Sequence, residues 1–269
     1  MLCDSHTHSI YSFDGHNSPA ELCAAAEKAD VRAFVITDHY DIDGVLDGFY
    51  PIYEAAAARR WIGEAQREFE GRVRVYRGIE LGQAGNRPAE ARAFLAENQF
   101  DFVICSCHNL KGVPDFSFFD CTLMSLPLME SLYHRMLDEL CLHAAIPGQD
   151  TVAHLSYPLR YMAKSGKTVD ITRFEADFRR LFHILRENGM AVEVNTKGLR
   201  LQLIPEETEM YILQLWRDCG GRDVSIGSDS HRAAEMGIGL SLGVDLLTRA
   251  GFDSVRMPGG HVPLASLSI

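Results

Sequence analysis

The 269-residue chain has no disulfide or zinc-finger framework. Its seven cysteines, at 3, 23, 105, 107, 121, 141 and 219, are odd in number and include no CxxC pair. Several sit in apolar runs such as VICSC, as reduced, buried thiols do. No apolar run reaches the length of about eighteen residues that a membrane span needs, and no basic segment leads into an apolar stretch at the N-terminus. Neither a membrane span nor a signal peptide is expected, and the chain reads as cytoplasmic. Basic clusters are also missing. With 26 Lys and Arg against 37 Asp and Glu, the formal charge of −11 leaves no footprint for a phosphate backbone, which excludes a nucleic-acid partner on electrostatic grounds.

The composition is that of an ordinary globular protein: 46% apolar and 23% charged residues lie far from the regime of disorder. Short β-branched or apolar runs alternate with longer amphipathic segments, the signature of βαβ units and a mainly parallel sheet. SPAELCAAAEKA carries the clearest helix start, with Ser18 as N-cap, Pro19 at the first helical position and Glu21 closing a capping box. RAFVITDH, VRVYRGIEL, FDFVICSCH, TVAHL, MAVEVNT and DVSIGSDSH read as strands after the first one, and a weak strand at SVRM closes the chain. With no linker or low-complexity stretch, residues 1–269 are expected to form one α/β domain with a barrel-like sheet.

Histidine, aspartate and glutamate recur at the C-terminal ends of these strands. DSHTH (His6, His8) ends the first, TDH (Asp38, His39) the second and GIE (Glu80) the third. SCH (His108), VAH (His154) and GSDSH (Asp229, His231) end the fourth, fifth and seventh. Six of the eleven histidines thus fall where a barrel gathers its strand ends, the face on which such folds build active sites. On a strand, alternation sends His6 and His8 to one face. Imidazoles and carboxylates in this number offer ligands for two or three divalent ions of zinc, iron or manganese. His134, His143, His183 and His261 fall within helices or the tail and read as surface or helix-face residues.

In this order, DSHTH, TDH, Glu80, CH, AH and GSDSH resemble the motif series of the polymerase and histidinol phosphatase (PHP) superfamily, and the resemblance spans almost the whole chain. FDFVICSCHNL, AHLSYPLRY, VEVNTKGLR and CGGRDVSIGSDSHR resemble its histidinol-phosphate phosphatase branch. The resemblance implies a distorted TIM-like (β/α)7 barrel with a trinuclear metal site. It further implies that His6, His8 and Asp229 hold one ion and that Glu80 bridges it to a second ion on His108 and His154. A third ion would take His39, His231 and a ligand from the loop YSFDGH, either Asp14 or His16; Asp14 has the alternative of only capping the turn at Gly15. Asp4 and Asp38 are expected to orient neighbouring imidazoles.

A cluster of cations would neutralise phosphate oxygens and lower the pKa of a bridging water, whose hydroxide attacks phosphorus in line, with Asp229 or His231 passing a proton to the leaving alkoxide. Arg160, Arg200 and Lys197 follow the fifth and sixth strands and are candidates for holding phosphate, Arg being the natural bidentate clamp. Asp115 or Asp120, in the loop after His108, could meet a cationic amine. The expected partner is a small phosphorylated substrate, L-histidinol phosphate first, with another small phosphate or a catalytically silent metal-binding module as rivals; oligomeric state is open.

Overall fold

A computed structural model describes residues 1–267. Eight strands form the main sheet: β1 (Leu2–Thr7), β2 (Val31–Ile36), β3 (His39–Asp41), β4 (Arg74–Gly82), β5 (Phe102–Ser106), β6 (Thr151–Val152), β7 (Ala191–Asn195) and β8 (Val224–Gly227). Seven of them run in the order β1-β2-β4-β5-β6-β7-β8, and β3 pairs with β4 beyond the end of β2. Every pairing in this sheet is parallel. Between β8 and β1 the ring is joined by the single bridge Thr7–Ser230 and by two backbone bonds, from the His8 N–H to the Ser230 carbonyl (2.8 Å) and from the Asp229 N–H to the His6 carbonyl (2.9 Å). The sheet is nearly closed, with helices around it. This distorted (β/α)7 barrel is the architecture the motif order implied.

Parallel neighbours require crossovers, and the connecting helices bury the outer faces of the strands. Helix Pro19–Lys28 starts as expected: the Ser18 side chain accepts from the Glu21 N–H, while the Glu21 carboxylate accepts from the Ser18 N–H. Helices Leu126–Ala144, Glu175–Glu187 and Glu206–Asp218 bring Tyr133, Phe178, Phe182 and Trp216 to complete burial. The short helices Tyr157–Lys164 and Thr196–Arg200 occupy stretches that follow β6 and β7 and read as loops in the sequence. The weak strand at SVRM (Ser254–Met257) lies outside the barrel. It pairs antiparallel with Gly260–Pro263 as a hairpin, because the two turn residues Pro258 and Gly259 suffice for the return.

His143 departs from the surface reading. It is fully buried in helix Leu126–Ala144, where its Nδ1 accepts from the Gly85 N–H at 3.1 Å; His134, His183 and His261 are half or more exposed or nearly so. Burial alone pushes the imidazole of His143 down to about 3. The unfolded chain therefore binds a proton near pH 6.5 that the folded chain refuses, so this residue removes stability as pH falls from about 6.5 toward 3. His143→Gln keeps an acceptor for Gly85 and removes the titration. Its unfolding free energy between pH 6 and pH 4, from urea melts, is expected to fall by about 2 kcal/mol less than in the parent chain.

Candidate metal centre

The strand ends converge on one carboxylate. Register places His39 directly opposite Glu80 in the β3–β4 pair, and Glu80 is 1% exposed. Its Oε2 lies 3.0 Å from His6 Nε2, 3.5 Å from His8 Nε2 and 3.2 Å from His39 Nδ1. Its Oε1 lies 3.0 Å from His108 Nε2 and 2.9 Å from His154 Nε2. On the far side of His8, Asp229 Oδ1 is 3.7 Å away. His231 Nε2 contacts Asp14 Oδ2 at 3.0 Å, and His39 Nε2 faces Asp14 Oδ1 at 3.7 Å. All nine residues singled out as ligands thus stand within one centre. His16 does not: it is exposed and reaches His231 only through its backbone N–H. Asp14 is the loop residue brought in.

The donor chemistry fits divalent ions. His6 Nδ1 lies 2.7 Å from Glu193 Oε1, and His108 Nδ1 lies 2.7 Å from Asp41 Oδ1. A carboxylate partner holds the proton on Nδ1, so that Nε2 of each ring is the atom that offers its lone pair to a bound cation. Those lone pairs point at Glu80 oxygens and at each other's neighbours: His6 and His8 Nε2 are 3.1 Å apart, His108 and His154 Nε2 3.4 Å. Lone pairs meeting lone pairs need a cation between them. Asp14 Oδ1 and His39 Nδ1 are buried with no hydrogen-bond partner among the described residues, as metal-directed atoms would be. The triads His8–His39–His231, His6–Glu80–His154 and His6–His8–Asp229 each bring three ligand atoms within 4.8 Å of one another.

Protonation follows from the same crowding. Burial works against charge on His6, but Glu193 and Glu80 outweigh it and hold the imidazole well above its ordinary range; Asp41 and Glu80 do the same for His108. Burial, then His231, His39 and His6, push His8 well below that range. Burial also raises the carboxyl of Glu80, yet His6, His108 and His39 hold it well below the usual carboxylate range. Asp229 behaves likewise: burial is overcome by Lys197, then by His6, His231 and Arg160. Both carboxylates are ionised at neutral pH.

Several supports were not read from the sequence. Glu193 Oε2 accepts from the His154 backbone N–H at 3.0 Å while its Oε1 holds His6, so one strand-β7 carboxylate fixes the imidazole of His6 and the backbone of His154. A methyl group at Gly227 would collide with both Glu193 and His6, so this position cannot carry a side chain. His154 and Asp229 have positive φ (26° and 53°), strain that the surrounding bonds must hold. Asp4 and Asp38 act less directly than expected. Asp4 accepts from the N–H groups of His6 and Ser228. Asp38 accepts from Ser9 and from Ser12, whose hydroxyl lies 3.0 Å from His8 Nδ1. The imidazole partners are instead Glu193, Asp41 and Ser12. An acid inside the apolar run MAVEVN was the available signal for Glu193.

The cleft above the centre encloses about 170 Å³ and is lined by Arg160, Lys197, Asp115, Tyr157 and Tyr161 together with the ligand set except His6 and His8, which lie beneath it. Arg160 reaches Asp229 Oδ2 at 3.3 Å and Asn195 Oδ1 at 2.7 Å. Lys197 reaches Asp229 Oδ1 at 3.1 Å and His231 Nδ1 at 3.2 Å. Arg200 does not line it. It pairs with Glu235 at 3.5 Å, the residue whose carboxylate accepts from the His231 N–H. Helix Thr196–Arg200 turns Lys197 inward and Arg200 away, which a loop reading could not foresee. A larger hollow of about 490 Å³ beside Leu159, Met162 and Ile204 is mainly apolar and receives no histidine.

The chain is similar to known proteins along most of its length. The PHP domain family matches residues 4–197. Over 264 residues the chain is 26% identical to the histidinol-phosphatase of Lactococcus lactis subsp. lactis, covering 96% of this chain and 94% of that one. It is also 26% identical over 261 residues to a Thermotoga maritima protein named "Probable histidinol-phosphatase", covering 96% of each. Its fold superposes on the crystal structure of the histidinol phosphate phosphatase from L. lactis complexed with Zn, L-histidinol and phosphate, with a TM-score of 0.79 at 21% identity, over 97% of this chain and 98% of that chain. With its motif residues gathered around Glu80 and the family match running through most of its length, the chain belongs to the PHP domain family.

Proposed function

We propose that the chain is a metal-dependent phosphatase that hydrolyses a small phosphomonoester, L-histidinol phosphate foremost, to the alcohol and phosphate. The observation that carries this reading is the gathering of nine ligand-capable side chains, Glu80 at their centre, seven of which line one small cleft with Arg160 and Lys197. The choice of substrate draws support from the relatives' activity and from the L-histidinol and phosphate held by the Lactococcus protein. Two or three ions of zinc, iron or manganese are the implied cofactors, with His6, His8 and Asp229, then His108 and His154, then His39, His231 and Asp14 as three ligand groups sharing Glu80 at the centre.

Bound divalent ions supply charge neutralisation and a water of lowered pKa. The chain's own groups do the rest. Arg160 and Lys197 are the cations placed to take phosphate oxygens, and each now rests on Asp229, which an incoming phosphate would relieve. Asp229 is ionised in the resting site, so it serves first as a base for the proton of the attacking water. Only then can it deliver that proton to the leaving alkoxide. Both nitrogens of His231 are already engaged, which makes it the weaker proton donor. The intact ligand set disfavours a silent module.

Two outcomes are expected. Phosphate release from L-histidinol phosphate, measured against a panel of small phosphomonoesters on protein reloaded with manganese, zinc or iron, should strongly exceed the panel and vanish in His39→Ala. Activity that survives in His39→Ala would place the site elsewhere, and broad weak activity lost in that variant would keep the site and remove this substrate. Glu193→Ala should weaken Mn2+ binding about 10- to 100-fold in calorimetric titration of the metal-stripped chain, because His6 loses its Nδ1 acceptor. Glu193→Gln, which keeps an acceptor, should lie close to the parent.

A further inference from the structure

The two cations of the cleft share one anchor at the end of strand β7. Glu193 and Asn195 stand two residues apart on that strand, so both face the interior of the barrel. Asn195 is buried, and each end of its side-chain amide makes two hydrogen bonds. Oδ1 accepts from Arg160 Nη2 at 2.7 Å and from the Lys197 backbone N–H at 3.2 Å. Nδ2 donates to Glu193 Oε2 at 3.2 Å and to Asp229 Oδ2 at 3.3 Å. Charge fixes this orientation, because the amide turned over would set its oxygen against two carboxylates and its NH2 group against a guanidinium. One side chain thus joins the phosphate side of the cleft to the metal side.

The two ends are unequally needed. Glu193 Oε2 also accepts from the His154 backbone N–H, and Asp229 also meets Arg160 and Lys197, so other bonds duplicate those of Nδ2. Arg160 has less support. Its Nε is buried without a hydrogen-bond partner among the described residues, closed in by Gly198, where an added methyl group would come within 3.3 Å. The ring of Tyr157 lies 5.7 Å from the guanidinium carbon and aims none of its N–H groups. The fork is directed by two oxygens, Asp229 Oδ2 at 3.3 Å and Asn195 Oδ1 at 2.7 Å. A phosphate that takes the place of Asp229 leaves Asn195 to hold the arginine. The same Oδ1 caps helix Thr196–Arg200 and so sets where Lys197 begins.

We propose that Asn195 is the positioning residue of the phosphate clamp: without touching the substrate, it aims Arg160 at a phosphate oxygen once Asp229 has been displaced. The inference rests on the phosphatase reading, in which Arg160 takes phosphate. The competing account is that Asn195 only caps its helix. Asn195→Ser separates the two, because serine caps as asparagine does while its hydroxyl ends one bond nearer the backbone and gives up Arg160.

The probe is inorganic phosphate, titrated calorimetrically into the Mn2+-loaded parent, Asn195→Ser, Arg160→Ala and the double variant. Asn195→Ser should weaken phosphate binding about 10-fold, the lower end of the range for a hydrogen bond to a charged group. In the Arg160→Ala background the same substitution should change it by less than about twofold, since no guanidinium is left to aim. With L-histidinol phosphate, KM should rise by a similar factor while kcat stays within about threefold. Mn2+ affinity and melting temperature should remain close to the parent's. Asn195→Thr, which caps with the same reach, should behave alike and replaces the serine variant if that one does not fold. Phosphate affinity unchanged in Asn195→Ser, or lost equally with and without Arg160, overturns the anchor and leaves the phosphatase reading intact. A fall in kcat at constant KM, or a loss of Mn2+ affinity that matches the loss of phosphate affinity, assigns Asn195 to the metal side and overturns it as well. A parent that neither binds phosphate nor hydrolyses the ester refutes the phosphatase reading, and the clamp with it.

Discussion

One buried carboxylate organises this protein. Glu80 lies near the end of strand β4 with five imidazoles within 3.5 Å of its two oxygens, and those imidazoles come from β1 and its following loop, from β3, and from the residues just after β5 and β6. A charge at this depth costs several kcal/mol unless it is paired. The pairing is supplied from strands that only a nearly closed sheet brings together, so the barrel and the centre are one constraint seen from two sides. Without bound cations the site must hold protons on His6 and His108 instead, against the cost of burying them. Divalent ions answer the same requirement with less conflict among lone pairs.

The support around the centre is anionic in turn. Glu193 holds His6 and the backbone of His154; Asp41 holds His108; Asp38 holds Ser12, which holds His8. Each acceptor fixes a tautomer and aims a lone pair inward. This explains a sheet with acids inside it. The positive φ of His154 and Asp229 belongs to the same economy of position, since the strands end at different heights and two ligands must turn back to reach the centre.

Much of this was legible in the sequence, and the residues show why the rest was not. The strand-end histidines were readable because ligands must recur where parallel strands stop, a rule of topology rather than of local propensity. Asp14 and His16 share one short loop, and the fold carries Asp14 to His231 and His39 while it leaves His16 exposed. Lys197 lines the cleft and Arg200 does not because residues three apart on a five-residue helix point in related but unequal directions, a distinction that vanishes if the segment is read as a loop. His143 looked like a helix-surface residue because its partner, the Gly85 N–H, lies 58 residues away in the chain. Glu193 was hidden by its setting, an acid in an otherwise apolar strand, whose partners are likewise distant in sequence.

Net charge was a sound guide to the wrong scale. An overall −11 would repel a phosphate monoester at long range, yet potentials inside a narrow cleft are set by the nearest groups and by bound ions, not by the sum over the surface. Here Arg160 and Lys197 sit against Asp229, and the carboxylates outnumber them until the ligand set is filled. On the proposed function, bound cations would convert this acidic hollow into an anion site, and Asp229, shared between the ligand set and the two cations Arg160 and Lys197, would couple metal affinity to phosphate affinity.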